Sequence, residues 1–317
     1  MPRITFLTTI YNKERHLPAT LRSIAAQTGV AEAEYIFVDD GSKDRSREVV
    51  ETITASWPNT TIISQKNQGP SVATNVGLER ATGDYVKLVD GDDILLPNAT
   101  DVLLEALTKT GAKLAFGYNA EFPAEHPPEH LSPVDAPAIR LRPNLLRFLL
   151  QRQHFGPSHM LIDRRLFQEV GGCDEAIFTQ DYAMLFRLAR KTDFAEVDAV
   201  VALSPDVVPG RVQTGAQLYH DMNLALQTAV RDGLSRSLNR YAFQRAAGRA
   251  WKWATRHGGA GLTSPYFWLY AMSYLPVPLW PDVPHLIGAT LPAYHSDPNI
   301  RRSFPRLAPP PLADQPA

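Results

Sequence analysis

Apolar positions in the first third of the chain alternate between two rhythms. Residues 4–10 (ITFLTTI) form a short apolar, threonine-rich run of strand character, and residues 15–27 then carry Leu17, Leu21, Ile24 and Ala25 at helical spacing. The pair repeats: residues 35–38 are strand-like, and Val49, Val50, Ile53 and Trp57 mark the inner face of a helix that Asp44 or Ser46 can cap. Residues 61–64, 71–80, 85–89, 98–108 and 113–118 continue as strand, helix, strand, helix and strand. Strands separated by helical stretches need crossover connections. The pattern therefore predicts an α/β fold built on a mostly parallel sheet with helices on both faces. Polar residues gather after each strand: Thr8 and Thr9, Asp39 and Asp40, Lys66 and Asn67, and Asp90 to Asp93. Sheets of this kind bind ligands beyond the carboxyl ends of their strands, so this edge is the expected site.

Beyond residue 120 the pattern changes. Residues 121–143 hold Pro123, Pro127, Pro128, Pro133, Pro137 and Pro143 with little apolar periodicity, as in a linker or a surface excursion. Helices are expected over 144–153, 164–170 and 182–191, and strands over 158–162 and 194–203, with Gly171-Gly172 stopping the second helix. Residues 215–257 have helical spacing, and Arg231, Arg236, Arg240, Arg245, Arg249, Lys252 and Arg256 give them a basic face, expected to be solvated. Residues 265–280 interleave aromatics with prolines, and 305–317 is expected to be a disordered tail. This part is a C-terminal helical extension.

Charge narrows the function classes. The 317 residues include 32 Lys and Arg against 33 Asp and Glu, a net charge of -1, which argues against a nucleic-acid partner. Cys173 is the only cysteine, so an intrachain disulfide and a cysteine metal cluster are both excluded, and a reducing compartment is expected. The start lacks the longer apolar region and cleavage site of a signal peptide, and no apolar run reaches the roughly 18 to 20 residues of a membrane span. A cytoplasmic protein is expected. His154, His159 and His220 have no metal-ligand spacing and are expected at the surface or in an acceptor cleft, and Cys173 is expected to pack within its Gly-Gly turn.

The chemistry centres on residues 85–93 (YVKLVDGDD), where a strand ends in three carboxylates within four positions. Such anions repel, and a divalent ion such as Mg2+ or Mn2+ with a substrate diphosphate would compensate them. The plainer alternative is an acidic turn in which Asp93 or Asn98 caps a helix starting near Pro97. Capping is likewise the alternative for Asp40 and Asp181, and Glu14 can cap or pair with Lys13 or Arg15.

Five motifs occur in order: Thr9-Ile10-Tyr11-Asn12, Val38-Asp39-Asp40-Gly41-Ser42, Ala73-Thr74-Asn75-Val76-Gly77, Val89-Asp90-Gly91-Asp92-Asp93, and Gly171-Gly172-Cys173-Asp174-Glu175 followed by Gln180-Asp181. In this the chain resembles the family 2 glycosyltransferases of GT-A fold, over roughly residues 1–215. The resemblance implies a nucleotide-sugar-binding half (1–118), an acceptor-binding half (119–215) and, beyond them, the helical extension (216–317). It implies a nucleotide-diphosphate-sugar donor, a UDP-sugar by the carboxylate offered to the base, and a divalent metal. Transfer would invert the anomeric carbon, with a saccharide or lipid-linked acceptor in cell-surface or extracellular polysaccharide or glycoconjugate synthesis. By position, Thr9 and Tyr11 resemble the wall of the base pocket and Asp40 the acceptor of the base N–H. Asn75 resembles the residue at the phosphate-side helix, Asp90 the residue at the ribose or metal, Asp92 the metal ligand, and Asp181 the general base.

Two departures stand out. Thr74 replaces an Arg that often precedes the Asn, leaving Lys66, Arg80 or Arg211 to supply a diphosphate contact, and Gln180 replaces the acidic neighbour of the base. The basic helices and the aromatic segment suggest peripheral contact with the inner membrane face. A Rossmann oxidoreductase and a P-loop phosphotransferase lack their glycine motifs here. A nucleotidyltransferase and a silent sugar-nucleotide-binding scaffold remain as alternatives.

Overall fold

The computed structural model describes residues 2–30, 32–143, 145–151, 156–206, 215–258, 261–275, 282–297 and 300. Strands β1 (Arg3–Ile10), β2 (Glu32–Asp39), β3 (Thr60–Ser64) and β4 (Tyr85–Asp90) pair in parallel in the order β3-β2-β1-β4, and helices α1 (Leu17–Ala25), α2 (Ser46–Thr54) and α3 (Pro70–Arg80) make the crossovers. The register sets Ile10 beside Asp39 and Thr9 beside Asp90, which brings three strand ends to one edge. Side chains alternate across β1, so that Ile4, Phe6 and Ile10 enter one core with Leu21, Phe37 and Val89 while Leu7 enters the other with Val38, Val72 and Val76. Both faces are covered, as a parallel sheet requires.

The second half extends the same sheet. β4 pairs antiparallel with β8 (Met160–Asp163), followed by β6 (Leu114–Phe122), β9 (Phe194–Pro205) and the two-residue β5 (Ile94–Leu95). The division at residue 118 falls inside β6, so the two halves share a strand. Helix α4 (Ala99–Thr110) follows β5, and α5 (Leu145–Gln151), α6 (Arg164–Glu169) and α7 (Gln180–Leu188) belong to the second half. Asn98, considered as a cap for α4, instead exchanges two hydrogen bonds with the backbone of Val134, and Gln27 Oε1 accepts the Thr100 amide. The excursion over 121–143 contains one strand that its prolines concealed, β7 (Ile139–Arg142), held on β9 with Arg142 paired to the buried Glu196.

The expected helix over 215–257 is two helices, α8 (Ala216–Arg231) and α9 (Arg236–Gly258), separated at Gly233, whose φ of +97° no other residue type adopts easily. Their apolar sides join the core through Met222, Leu226, Phe243 and Ala246. The basic face of α9 is only partly solvated. Burial pulls the Arg249 guanidinium below its ordinary range, and its Nε donates to Asn223 Oδ1 at 2.9 Å. His159 and His220, expected at the surface or in a cleft, are buried, because one turns inward beside β8 and the other packs against Tyr294 and His295. Helices α10 (Pro265–Met272) and α11 (Val283–Gly288) complete the extension. Among the described residues no helix is long and apolar enough to cross a membrane. The expected tail at 305–317, His154 and Arg211 lie outside the described residues.

Candidate functional site

The edge beyond β1, β2 and β4 is organised by a lattice of side chain to backbone bonds. After β1, Asn12 takes a φ of +54° and its amide donates to Ser42 Oγ, while the amides of Lys13 and Glu14 donate to Ser46 Oγ and Asp44 Oδ2. Burial raises the Asp44 carboxyl, but bonds from Ser46 and from the Glu14 amide outweigh it and hold the group below its usual range. The two loops are thereby closed on one another. Thr9, next to last in β1, is half-buried, and Tyr11 lies just beyond the strand.

Asp40 is buried and organises the loop after β3. Its Oδ1 accepts from the Gln68 amide at 2.8 Å and Gln65 Nε2 at 2.7 Å, and its Oδ2 accepts from the Gly69 amide at 2.8 Å. That loop turns at Gly69, where φ is +93° and a Cβ would lie 2.8 Å from the Phe178 ring. Pro70 and Ser71 then open α3, and Ser71 Oγ donates to Ile177 O. From its first turn, α3 is bound to the segment that leads into α7.

Asn75 faces the same segment. Its Oδ1 accepts the Cys173 amide at 2.8 Å, and its Nδ2 donates to Cys173 O and Glu175 Oε1. Gly172 lies so close that a Cβ would fall 2.3 Å from Asn75 Oδ1, while Gly171 is set by its φ of +79°. Cys173 packs as expected, its Sγ 3.9 Å from Met184 Sδ and its thiol pushed up by burial. Arg80 sits at the opposite end of α3, about 15 Å from Pro70 by helical rise. It therefore does not reach the strand ends, whereas the exposed Lys66 lies beside them.

The acidic turn is more thoroughly compensated than its sequence suggested. Asp92 is 3% exposed and accepts from Lys13 Nζ at 2.6 Å. Lys13 is thus paired with Asp92 and not with Glu14, which instead accepts the Arg45 amide. Beneath the turn lies Lys87, wholly buried. Burial pulls its pKa down to about 7 against the opposing charges of Asp93 and Asp90, and its ammonium donates to Ser158 O. Ser158 Oγ in turn accepts the Asp90 amide. Neither lysine stood out in the sequence: Lys13 is remote from the acids along the chain, and Lys87 sits in an apolar strand.

Gln180 joins the two halves. Its Nε2 donates to Asp90 Oδ1 at 3.2 Å, and its Oε1 accepts from the Thr74 hydroxyl. The two positions where the chain departs from the resembled family are therefore one contact, a neutral Thr-Gln pair. Asp181 follows in the first turn of α7, where its Oδ1 accepts the Tyr182 amide. Asp40 thus holds Gly69, Ser71 bonds the backbone of Ile177 and Phe178, and Gln180 reaches Asp90. A cavity of about 430 Å3, lined by Asn12, Glu14, Arg15, His16, Asp92 and Phe122 among others, opens beside Asp92.

This donor set fits a hard divalent ion. Asp90 and Asp92 offer carboxylate oxygens at a buried strand end. Among the described residues no three His, Cys, Asp or Glu side chains gather closely enough to hold an ion alone. The rest of the shell of such an ion would come from diphosphate oxygens and water, the arrangement hard divalent ions favour.

The architecture is the GT-A fold. It is shared with Staphylococcus aureus TarS 1–349 in complex with UDP-GlcNAc, at a TM-score of 0.65 and 15% identity over 93% of this chain and 90% of that one. The mannosyltransferase PcManGT from Pyrobaculum calidifontis, in complex with GDP-Man and Mn2+, gives 0.56 at 18% identity over 93% and 87%. The model of Glycosyl transferase family 2 matches residues 5–171, and the chain belongs to that family. An uncharacterized glycosyltransferase of Haemophilus influenzae is 30% identical over 58% of this chain and 61% of its own length. YibD of Escherichia coli, also an uncharacterized glycosyltransferase, is 34% identical over 32% and 29%. The chain thus spans less than two thirds of the length of these curated relatives.

The Thr74-Gln180-Asp90 contact is testable by stability. Gln180→Glu sets a second carboxylate against Asp90 and should cost about 1–3 kcal/mol in denaturant unfolding at neutral pH. Adding Thr74→Arg to it should restore at least half of the loss. A neutral effect of Gln180→Glu would show that the contact carries no coupling.

Proposed function

We propose that the chain transfers a sugar, with inversion, from a UDP-sugar to an acceptor hydroxyl in a single displacement. The observation that supports this most is the Gln180 to Asp90 hydrogen bond, because it sets the helix bearing Asp181 against the carboxylates proposed to hold the metal. In this reading Thr9 and Tyr11 wall the base pocket, and Asp40, just beyond β2, offers an acceptor to the base imide N–H. Asp40 is already rigidly placed by Gln68 and Gly69. Asn75 shapes the phosphate side by fixing the Gly171–Cys173 turn against α3. Asp92, with Asp90, would hold a Mg2+ or Mn2+ ion, which would supply charge neutralisation for the departing diphosphate. Asp181 takes the acceptor hydroxyl proton as the oxygen attacks from the opposite face. Lys13 and Lys87 keep the acidic turn folded before any ion arrives. Polysaccharide or glycoconjugate synthesis at the cell surface is the setting that suits this chemistry.

The extension carries a surface suited to anionic lipid. Helices α9 and α10 contain no Asp or Glu. Arg236, Lys252 and Arg256 of α9 are exposed, and on the neighbouring α10 segment Trp268 is 64% exposed, with Leu262, Tyr274 and Leu275 also outward. Interfacial aromatics flanked by cations are the chemistry of a bilayer headgroup region, so this face is proposed to rest on an anionic membrane and present lipid-linked acceptors to the cleft.

Two measurements test these readings. Asp181→Asn should lower turnover by about two to four orders of magnitude with UDP affinity nearly unchanged, while Asp92→Ala should abolish the Mn2+-dependent part of UDP binding in calorimetry. Near wild-type turnover in Asp181→Asn would overturn the mechanism. In cosedimentation, the protein should bind phosphatidylglycerol vesicles and not phosphatidylcholine vesicles, with binding weakened by salt and by Lys252→Glu/Arg256→Glu. Equal behaviour toward both lipids would remove the membrane assignment.

A further inference from the structure

The start of α7, which carries Gln180 and Asp181, is held from the C-terminal extension. Thr179 is the N-cap residue of α7, yet its side chain does not cap its own helix. Both of its donors go instead to Asp221 on α8: the Thr179 amide lies 2.8 Å and its hydroxyl 2.9 Å from Asp221 Oδ2. Asp221 Oδ1 accepts from Gln217 Nε2 at 2.8 Å and meets His220 Nδ1 at 3.1 Å. The carboxylate is 2% exposed, and a charge removed so fully from water persists only where donors surround it, as they do here.

The framework behind Asp221 is densely hydrogen-bonded. Two residues on, Asn223 Nδ2 donates to Ala246 O on α9, Thr290 Oγ1 and Tyr294 Oη, and its Oδ1 accepts from Arg249. On the far side of Asp181, Tyr182 is buried, and the Arg249 and Arg245 charges partly offset the rise that burial imposes on its hydroxyl. Gln180 and Asp181 thus lie between Thr179, held by Asp221 of α8, and the buried Tyr182, whose hydroxyl feels the charges of Arg245 and Arg249 on α9.

We propose that Asp221 is a positioning residue for the transfer reaction: by holding both donors of Thr179 it sets where α7 begins and so where the Asp181 carboxylate stands. The α8–α9 extension then belongs to the catalytic apparatus. This rests on Asp181 being the base. Small displacements of a reacting group cost up to about a hundredfold in rate, so the effect of Asp221 should appear in kcat more than in binding.

The test uses the full chain with Asp221→Asn, Thr179→Val, Asp181→Asn and the double variant Asp181→Asn/Asp221→Asn. The readouts are amide hydrogen exchange, UDP affinity with Mn2+, and UDP release from UDP-GlcNAc or from whichever nucleotide sugar gives the largest thermal shift. Asp221→Asn should speed exchange at residues 179–183, lower kcat about 10- to 100-fold and leave UDP affinity within about threefold. Thr179→Val, which removes a single hydroxyl, should move exchange and kcat the same way by less and keeps the test open if Asp221→Asn fails to fold. In the Asp181→Asn background, the loss on adding Asp221→Asn should vanish. An equal loss in both backgrounds, or unchanged exchange and kcat in Thr179→Val, would overturn the positioning role. Near wild-type kcat in Asp181→Asn would instead overturn the base assignment, so the two failures are distinct.

Discussion

Repulsion among carboxylates at the edge of one sheet is the constraint that the rest of this molecule answers. Asp39 ends β2 with Asp40 just beyond it, Asp90 ends β4 with Asp92 and Asp93 following, and the register of β1 with both neighbours brings the two strand ends to one edge. Each acid is met differently. Asp40 is surrounded by backbone amides, Asp92 by Lys13, and Asp90 by the Gln180 amide, with the Lys87 ammonium buried beneath. A buried lysine brought to a pKa of about 7 is an unusual support. It lies beneath the acidic turn without occupying its open side, where the metal and diphosphate are proposed to bind.

The second half of the chain is organised by the same problem. Helix α3 is buried along its first turns because Ser71, Thr74 and Asn75 each bond to the stretch from Cys173 to Gln180. The neutral pair at Thr74 and Gln180 is intelligible in that setting. An acid at 180 would stand against Asp90, and a cation at 74 would then be needed to balance it. Changing both at once preserves the contact between the halves while removing two charges from a crowded place.

The α/β alternation was legible because strands such as β2 carry a short apolar run and helices such as α1 and α2 a clear apolar stripe. β5 and β7 were not, being a two-residue pairing and an edge strand inside a proline-rich stretch, both defined by their partner β9 and not by local pattern. The motif residues were legible from resemblance, yet their partners were not. Lys13 reaches Asp92 across 79 residues, and Asp221 reaches Thr179 across 42, so no local spacing could have announced either pair. The same holds for Arg249, which reads as one cation on a helix face but lies half inside, against Asn223.

Crystals grown with UDP and Mn2+ and measured at the manganese edge address the central claim most directly. An anomalous peak bonded to an Asp92 oxygen, with the UDP diphosphate on the same ion and the uracil beside Asp39 and Asp40, is the predicted result. A nucleotide bound away from the β1, β2 and β4 ends, or an ion held by residues remote from Asp90 and Asp92, would contradict it.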